Sequence, residues 1–363
     1  MTHDWLLVET LGHEPAVVAR GRQTKNLVPI SAFLRRSPDL MAIQAALAET
    51  VDAGHGLSTI TPKNNRVIRT EVVRMSDGRI HGVQVWSGPP GAEPPDRPTP
   101  GPLKWDLTTG VATDTPESLA NSGLDPHQEA TQGRAFAEDL PTRDLNPSET
   151  RVFSLAVRPR PGDTICTTWD VTDHNDELVT VGFVARSNLE IQDDGSERLI
   201  CRAMNWRSER DGSASTGDLE QQILNGLAQS GVHRALVNLD DWTLLKWLDD
   251  PCPYYDWRAM ESGNPMVHPA DEHHMSSMTT EFADGATTRV LRLRGTDGGW
   301  APIHVSVNRI EIEEGTFAGL ISLRLPTEDE LAGAGLAEPG DRAAKSPRRS
   351  RPRRKPKATE TAG

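Results

Sequence analysis

The chain has 363 residues, 36% of them hydrophobic and 25% charged, with a formal net charge of -13 and three cysteines. That length exceeds one ordinary domain and sets an expectation of two or three, in a balance that suits globular domains with polar connectors. No apolar run is long enough to span a bilayer, Met1-Thr2-His3-Asp4-Trp5 does not open a signal peptide, and Cys166, Cys201 and Cys252 lie far apart without a CxxC. The expectation is therefore a cytoplasmic protein with no membrane insertion, no zinc site and no disulfide framework.

Asp4 to Thr10 and Pro15 to Gly21 read as two strands. Leu40, Ile43, Leu47 and Val51 recur at helical spacing between Ser37-Pro38-Asp39 and Gly54, which predicts a helix. Val67 to Met75 and Arg79 to Trp86 flank Ser76-Asp77-Gly78, an Asp-Gly hairpin signal. This order gives an α+β domain over residues 1–86. Seven prolines in 87–102 forbid helix and central strand, so that stretch reads as a linker or an extended edge loop.

The second domain, 103–208, opens with Leu103 to Gly110 and a short helix from Pro116 to Asn121. Arg151 to Arg158, Thr164 to Val171, Leu178 to Ala185 and Leu199 to Trp206 have strand character, with Asp193-Asp194-Gly195 as a turn. A helix follows over 218–230, with Leu219, Ile223 and Leu227 on one face. At that length it is marginal alone and must pack, between domains or against a second copy as a homodimer.

The third domain, 233–326, has the clearest order. Arg234 to Leu239 and Thr243 to Leu248 predict two strands about an Asp240-Asp241 turn, followed by short helices between Pro251 and Ala283. Arg289 to Arg294, Trp300 to Ile310 and Thr316 to Leu325 then form a meander. Leu291 and Leu293, then Ile303, Val305 and Val307, alternate with polar residues as half-buried strands do. Their apolar face needs a cover, which Trp257, Met260, Met266, Met275 and Met278 could supply, with His268 among the few polar groups nearby. These residues, with Leu291, Leu293, Ile303 and Val305, are the candidates for a ligand pocket; methionines adapt to irregular gaps and suit a cavity wall. A fully packed core is the competing outcome.

The remaining segment, 327–363, reads as a disordered tail. Residues 342–357 hold nine Lys and Arg and no acid, including Lys345, Arg348, Arg349, Arg351, Arg353, Arg354, Lys355 and Lys357. The acidic body would repel nucleic acid, so a nucleic acid or acidic surface could be attracted only by this tail.

Two strands, helices and a three-strand meander are similar to the order of a PAS domain. Val267-His268-Pro269-Ala270-Asp271 resembles the His-Pro-x-Asp turn before the long PAS helix, and Leu291 to Trp300 resembles the family's strand, Asp-Gly turn and aromatic hairpin. Trp105 to Gly110 and Gly123-Leu124-Asp125-Pro126 resemble the opening of PAS domains, after which the second domain departs toward a GAF-like or divergent PAS form. The whole chain resembles an actinobacterial family of three-domain PAS/GAF-type proteins of unassigned function. The resemblance implies tandem α+β domains, each an antiparallel sheet covered by short helices, in a sensory protein that binds a small molecule or a signalling protein. It identifies no cofactor.

No P-loop, GxGxxG, GxSxG or HExxH motif occurs, so the sequence supports no catalytic assignment. Asp271 and His274 stand at ligand spacing within a cluster of His268, Glu272 and His273, but helix-start chemistry already accounts for the acids.

Overall fold

A computed structural model of the chain describes residues 4–61, 65–139, 149–210, 226–262, 265–281 and 286–336. It is an α+β molecule of three sheets, one from each part of the chain. The first contains β1 (Leu6–Glu9), β2 (Ala16–Arg20), β3 (Gln23–Pro29), β4 (Ser58–Ile60), β5 (Val67–Arg74) and β6 (Ile80–Gly88), ordered β3-β2-β1-β6-β5-β4. Between its halves run α1 (Ile30–Phe33) and α2 (Leu40–Ala53).

The second sheet contains β7 (Gly101–Asp106), β8 (Val111–Thr113), β9 (Arg134–Ala135), β10 (Thr164–Thr172), β11 (Leu178–Ile191) and β12 (Glu197–Ser208), ordered β10-β11-β12-β7-β8-β9. It carries α3 (Pro116–Asn121), α4 (Phe136–Asp139) and α5 (Glu149–Val157). The third contains β13 (His233–Val237), β14 (Leu244–Trp247), β15 (Thr287–Arg294), β16 (Trp300–Glu313) and β17 (Thr316–Arg324), ordered β14-β13-β17-β16-β15, with α6 (Glu272–Glu281) inserted and α7 (Glu328–Gly333) after it.

One topology is used three times. Each sheet begins with strands stepping outward from its first, passes through helices, and returns as a meander. The last strand of that meander lies antiparallel to the first: β6 on β1, β12 on β7 and β17 on β13. The third sheet differs by one strand fewer in its opening half.

The three units stack. α2 presses Ile43, Ala46 and Leu47 onto Val8, Val17, Ile68, Val83 and Val85 on one face of the first sheet. The opposite face, with Leu7, Val18, Ala19 and Val73, packs on Val184, Met204 and Trp206 of the second. Burial on both faces explains why Leu6-Leu7-Val8 and Ala16-Val17-Val18 are continuous apolar runs instead of alternating ones. Gly82 fits this seam because a Cβ there would lie 2.8 Å from the Met204 side chain and 2.7 Å from the Val8 carbonyl oxygen. The other face of the second sheet (Trp105, Val181, Phe183, Cys201) is covered by α5, and α5 in turn meets Leu236, Leu245 and Ala318 on the back of the third sheet.

That stacking accounts for a correction. The strand expected over Arg151 to Arg158 is α5. Val152, Phe153, Leu155 and Val157 are all buried between two sheets, and a nine-residue element this short and this apolar cannot be told from a buried strand by its pattern alone. The proline stretch is also closer to the body than a linker would be. Of the expected 87–102, Ser87 and Gly88 end β6 and Gly101 and Pro102 open β7, both central strands. Residues 89–100 form no helix or strand, but the Trp5 indole donates to the Pro95 carbonyl at 3.0 Å and the Gln84 amide to that of Pro98 at 2.8 Å. Leu227 is exposed at 63%, while Leu219, Ile223 and the basic tail, Arg348, Arg349, Arg351, Arg353, Arg354 and Lys355 included, lie outside the described residues. No helix among the described residues is long and apolar enough to cross a membrane.

Candidate functional site

The third sheet is apolar on both faces, and α5 of the middle domain covers the back. Its front carries Ala235 and Val237 from β13, Leu291 and Leu293 from β15, Ile303, Val305 and Val307 from β16, and Ile321 and Leu323 from β17. The register aligns Val305 with Leu323 and Val307 with Ile321, so the strands present one continuous apolar surface.

The cover is anchored at the edge. Val267 makes a single bridge to Leu293, the His268 N–H donates to the Arg292 carbonyl at 2.9 Å, and the Arg294 N–H donates to the Met266 carbonyl at 2.9 Å. His268 caps a short 3₁₀ turn, Pro269–Asp271, its Nδ1 accepting from the Ala270 N–H at 3.1 Å. Asp271 receives Arg292 through its backbone N–H and guanidinium at 2.9 Å and 2.6 Å. That guanidinium holds the Asp271 carboxyl below the usual range. The His-Pro-x-Asp turn thus ties the start of α6 to the edge strand. Asp271 is committed to Arg292, and the His273 and His274 rings lie 3.9 Å apart, centre to centre, on α6.

Beneath this cover is a cavity of about 310 Å³. Its floor is Val237, Leu244, Leu291, Leu293, Val305, Ile321 and Leu323; its walls are Tyr255, Pro265, Met266, Val267 and Met275. Asp241, Trp242 and Glu272 complete the lining, the two carboxylate residues being exposed. The sequence of α6, Glu-His-His-Met-Ser-Ser-Met-Thr-Thr-Glu, explains the opening. It offers two apolar side chains, of which Met278 is fully buried and Met275 faces the space, too few to fill the layer.

Of the residues singled out from sequence, Met266, Met275, Leu291, Leu293 and Val305 line this cavity. Four others do not. Trp257 is buried in the core, its ring 6.2 Å from that of Trp247 and edge-on; Ile303 and Met278 are fully buried in packed contacts; His268 is turned to its cap and to the Trp300 ring. The side chain of Met260 lies outside the described residues.

Sequence reasoning missed the β13–β14 connection, which is longer than an Asp240-Asp241 turn. The Asn238 N–H donates to the Thr243 carbonyl, and the Trp242 N–H to the Asn238 carbonyl, each at 2.9 Å. This places Trp242 at φ 63°, an uncommon backbone for a bulky residue, with its ring against the front core. Such a conformation persists where surrounding contacts over-determine it, and it often marks a binding loop.

The middle domain reaches the same core. Ala135 is buried within it and Ala137 packs on it. The Glu138 carboxylate accepts from Arg258 Nε at 2.5 Å, and Arg258 lies over the Trp257 ring at 4.3 Å. Burial pushes the Tyr255 phenol up and raises the Cys252 thiol as well, so both stay neutral beside the cavity at neutral pH. Cys166 and Cys201 are pushed up by burial to about 11 and about 12.

The fold and the site together define a multidomain α+β protein with a small-molecule-sized cavity in its last domain. The chain belongs to the Rv3651-like family: the models for the N-terminal, middle and C-terminal domains match residues 4–96, 99–208 and 217–334. A crystal structure of an uncharacterised protein from Mycobacterium tuberculosis is 61% identical, covers 92% of this chain and all of its own, and superposes with a TM-score of 0.85. A sensory box histidine kinase/response regulator from Burkholderia thailandensis E264 is 14% identical over 34% of this chain and 82% of its own, with a TM-score of 0.20. An RNA-binding light-oxygen-voltage receptor is 12% identical over 89% and 94%, at 0.22. No curated protein matches the chain. The family descriptions name three domains and no PAS or GAF type.

Proposed function

We propose that this chain is a non-catalytic sensory protein of PAS/GAF-like type, whose C-terminal domain takes up a small molecule and whose middle domain feels its occupancy. The observation that carries the reading is the cavity of about 310 Å³ between sheet and helices, at the small end of the range for ligand sites. The PAS-like part is supported by the order of two strands, a helical stretch and a meander whose last strand returns to the first. Transmission is supported by Ala135 and Ala137, which share a core with the cavity floor. A ligand that orders the β13–β14 connection would shift the packing of α4 against it.

The test uses the full chain. Native mass spectrometry of protein purified gently from its host should show one retained small molecule per chain. Met275→Trp, which fills the space, should abolish retention, and ligand should slow amide exchange at residues 134–139. Retention unchanged by Met275→Trp would overturn the site, and unchanged exchange at 134–139 would overturn the transmission.

A further inference from the structure

Resting on that reading of the cavity, we infer that its ligand is an organic cation: an apolar or aromatic body seated on the sheet, with an ammonium or amidinium group at the rim. The interior supplies aliphatic side chains, two methionines and the Tyr255 ring, so the buried part of a ligand must be apolar. Among the described residues only two that line it are charged, Asp241 and Glu272, and both are acids.

Among the described residues neither carboxylate has an ion-pair partner; Asp241 accepts only the Thr243 N–H, at 2.9 Å. Both are exposed, which puts negative charge where a ligand's head group would meet water. Trp242 follows Asp241 directly and offers an aromatic surface at the same end, the surroundings in which a cation gains from both charge and ring. Among the described residues of the lining an anion would find no lysine, arginine or histidine, and would meet like charge instead. Fatty acids, phosphates and nucleotides are therefore disfavoured.

Three probes of one shape separate the cases: 4-phenylbutylammonium, 4-phenylbutanol and 4-phenylbutyrate, titrated calorimetrically into the full chain. The ammonium should bind about tenfold more tightly than the alcohol, from two exposed charge pairs and a cation–π contact. The carboxylate should bind more weakly than the alcohol. The double variant Asp241→Asn/Glu272→Gln should bring the ammonium down to the alcohol while leaving the alcohol unchanged, and added salt should narrow the gap in the unaltered chain. Equal binding of ammonium and alcohol, or tighter binding of the carboxylate, overturns the cation assignment; the cavity reading then still stands if Met275→Trp abolishes alcohol binding. No binding of any probe overturns both.

Discussion

The first and third sheets share a topology and differ in how their outer face is closed. In the first, α2 is a fourteen-residue helix that lays Ile43, Ala46 and Leu47 along the sheet. In the third, the corresponding layer is broken into 3₁₀ turns and the ten-residue α6, with two methionines for apolar contact. The same sheet edge order therefore supports a filled core at one end of the stack and a cavity at the other. The difference lies in the apolar content of one helix, because a sheet face of fixed area can only be filled by side chains long and numerous enough to meet it.

The sharpest break in the comparison is a truncation at each end. Leu47 is 2% exposed, so Leu47→Ala should cost about 2–5 kcal/mol in the urea unfolding midpoint. Met275→Ala borders existing space and should cost less than half as much. Equal costs would mean that the third domain is packed as fully as the first.

The seam between the first two sheets can be tested by pH. His81 is fully buried there; its Nδ1 donates to the Ala203 carbonyl at 2.9 Å and its Nε2 accepts from Arg202 at 3.2 Å. Arg202 is held in turn by Glu190 at 2.7 Å and Asp77 at 2.8 Å. Burial, and then the Arg202 charge, pushes the His81 imidazole down to about 4. The folded chain keeps this ring neutral while the unfolded chain protonates it near its ordinary value. Stability from this group is therefore complete above about pH 6.5 and is lost as pH falls toward 4, by roughly 3 kcal/mol in all. Denaturant midpoints of the unaltered chain and of His81→Gln, compared from pH 7.5 to 4.5, should show the variant with the shallower fall. Parallel curves would remove His81 as the cause.

Much of the strand layout is legible in the sequence where turn chemistry marks it. Asp77-Gly78, Asp194-Gly195 and Asp297-Gly298 each join two paired strands, with φ of 84°, 79° and 80° at the glycines that a side chain would resist. Elements defined by their neighbours were not legible. β3 is Gln-Thr-Lys-Asn-Leu-Val-Pro, a polar edge strand held by pairing with β2, and β4 has three residues. Nor was α5, whose apolar residues answer to two sheets at once. For the site, alternation located Leu291, Leu293 and Val305, and the same logic applied across the β16–β17 register would have added Ile321 and Leu323. Asp241 and Trp242 had no such signal. They sit in a connection whose length and left-handed backbone depend on Asn238 and Thr243 closing it.

The finest probe of the comparison lies within α6 itself, at two methionines one turn apart. Met278 is fully buried and contributes to the packed core, whereas Met275 lines the cavity. Enlarging Met278 to Trp adds volume within the buried cluster that it shares with Ile303 and Val307, where none is free, and should cost about 1–3 kcal/mol. The same enlargement at Met275 pushes an indole into open space beside Trp242 and Tyr255. The apolar surface it buries there offsets what reorientation costs, and stability should change by less than about 1 kcal/mol. Thermal unfolding of the two variants side by side reads the contrast directly. If Met275→Trp proves as damaging as Met278→Trp, the space beneath α6 is already closed in solution, and the third domain is sealed like the first.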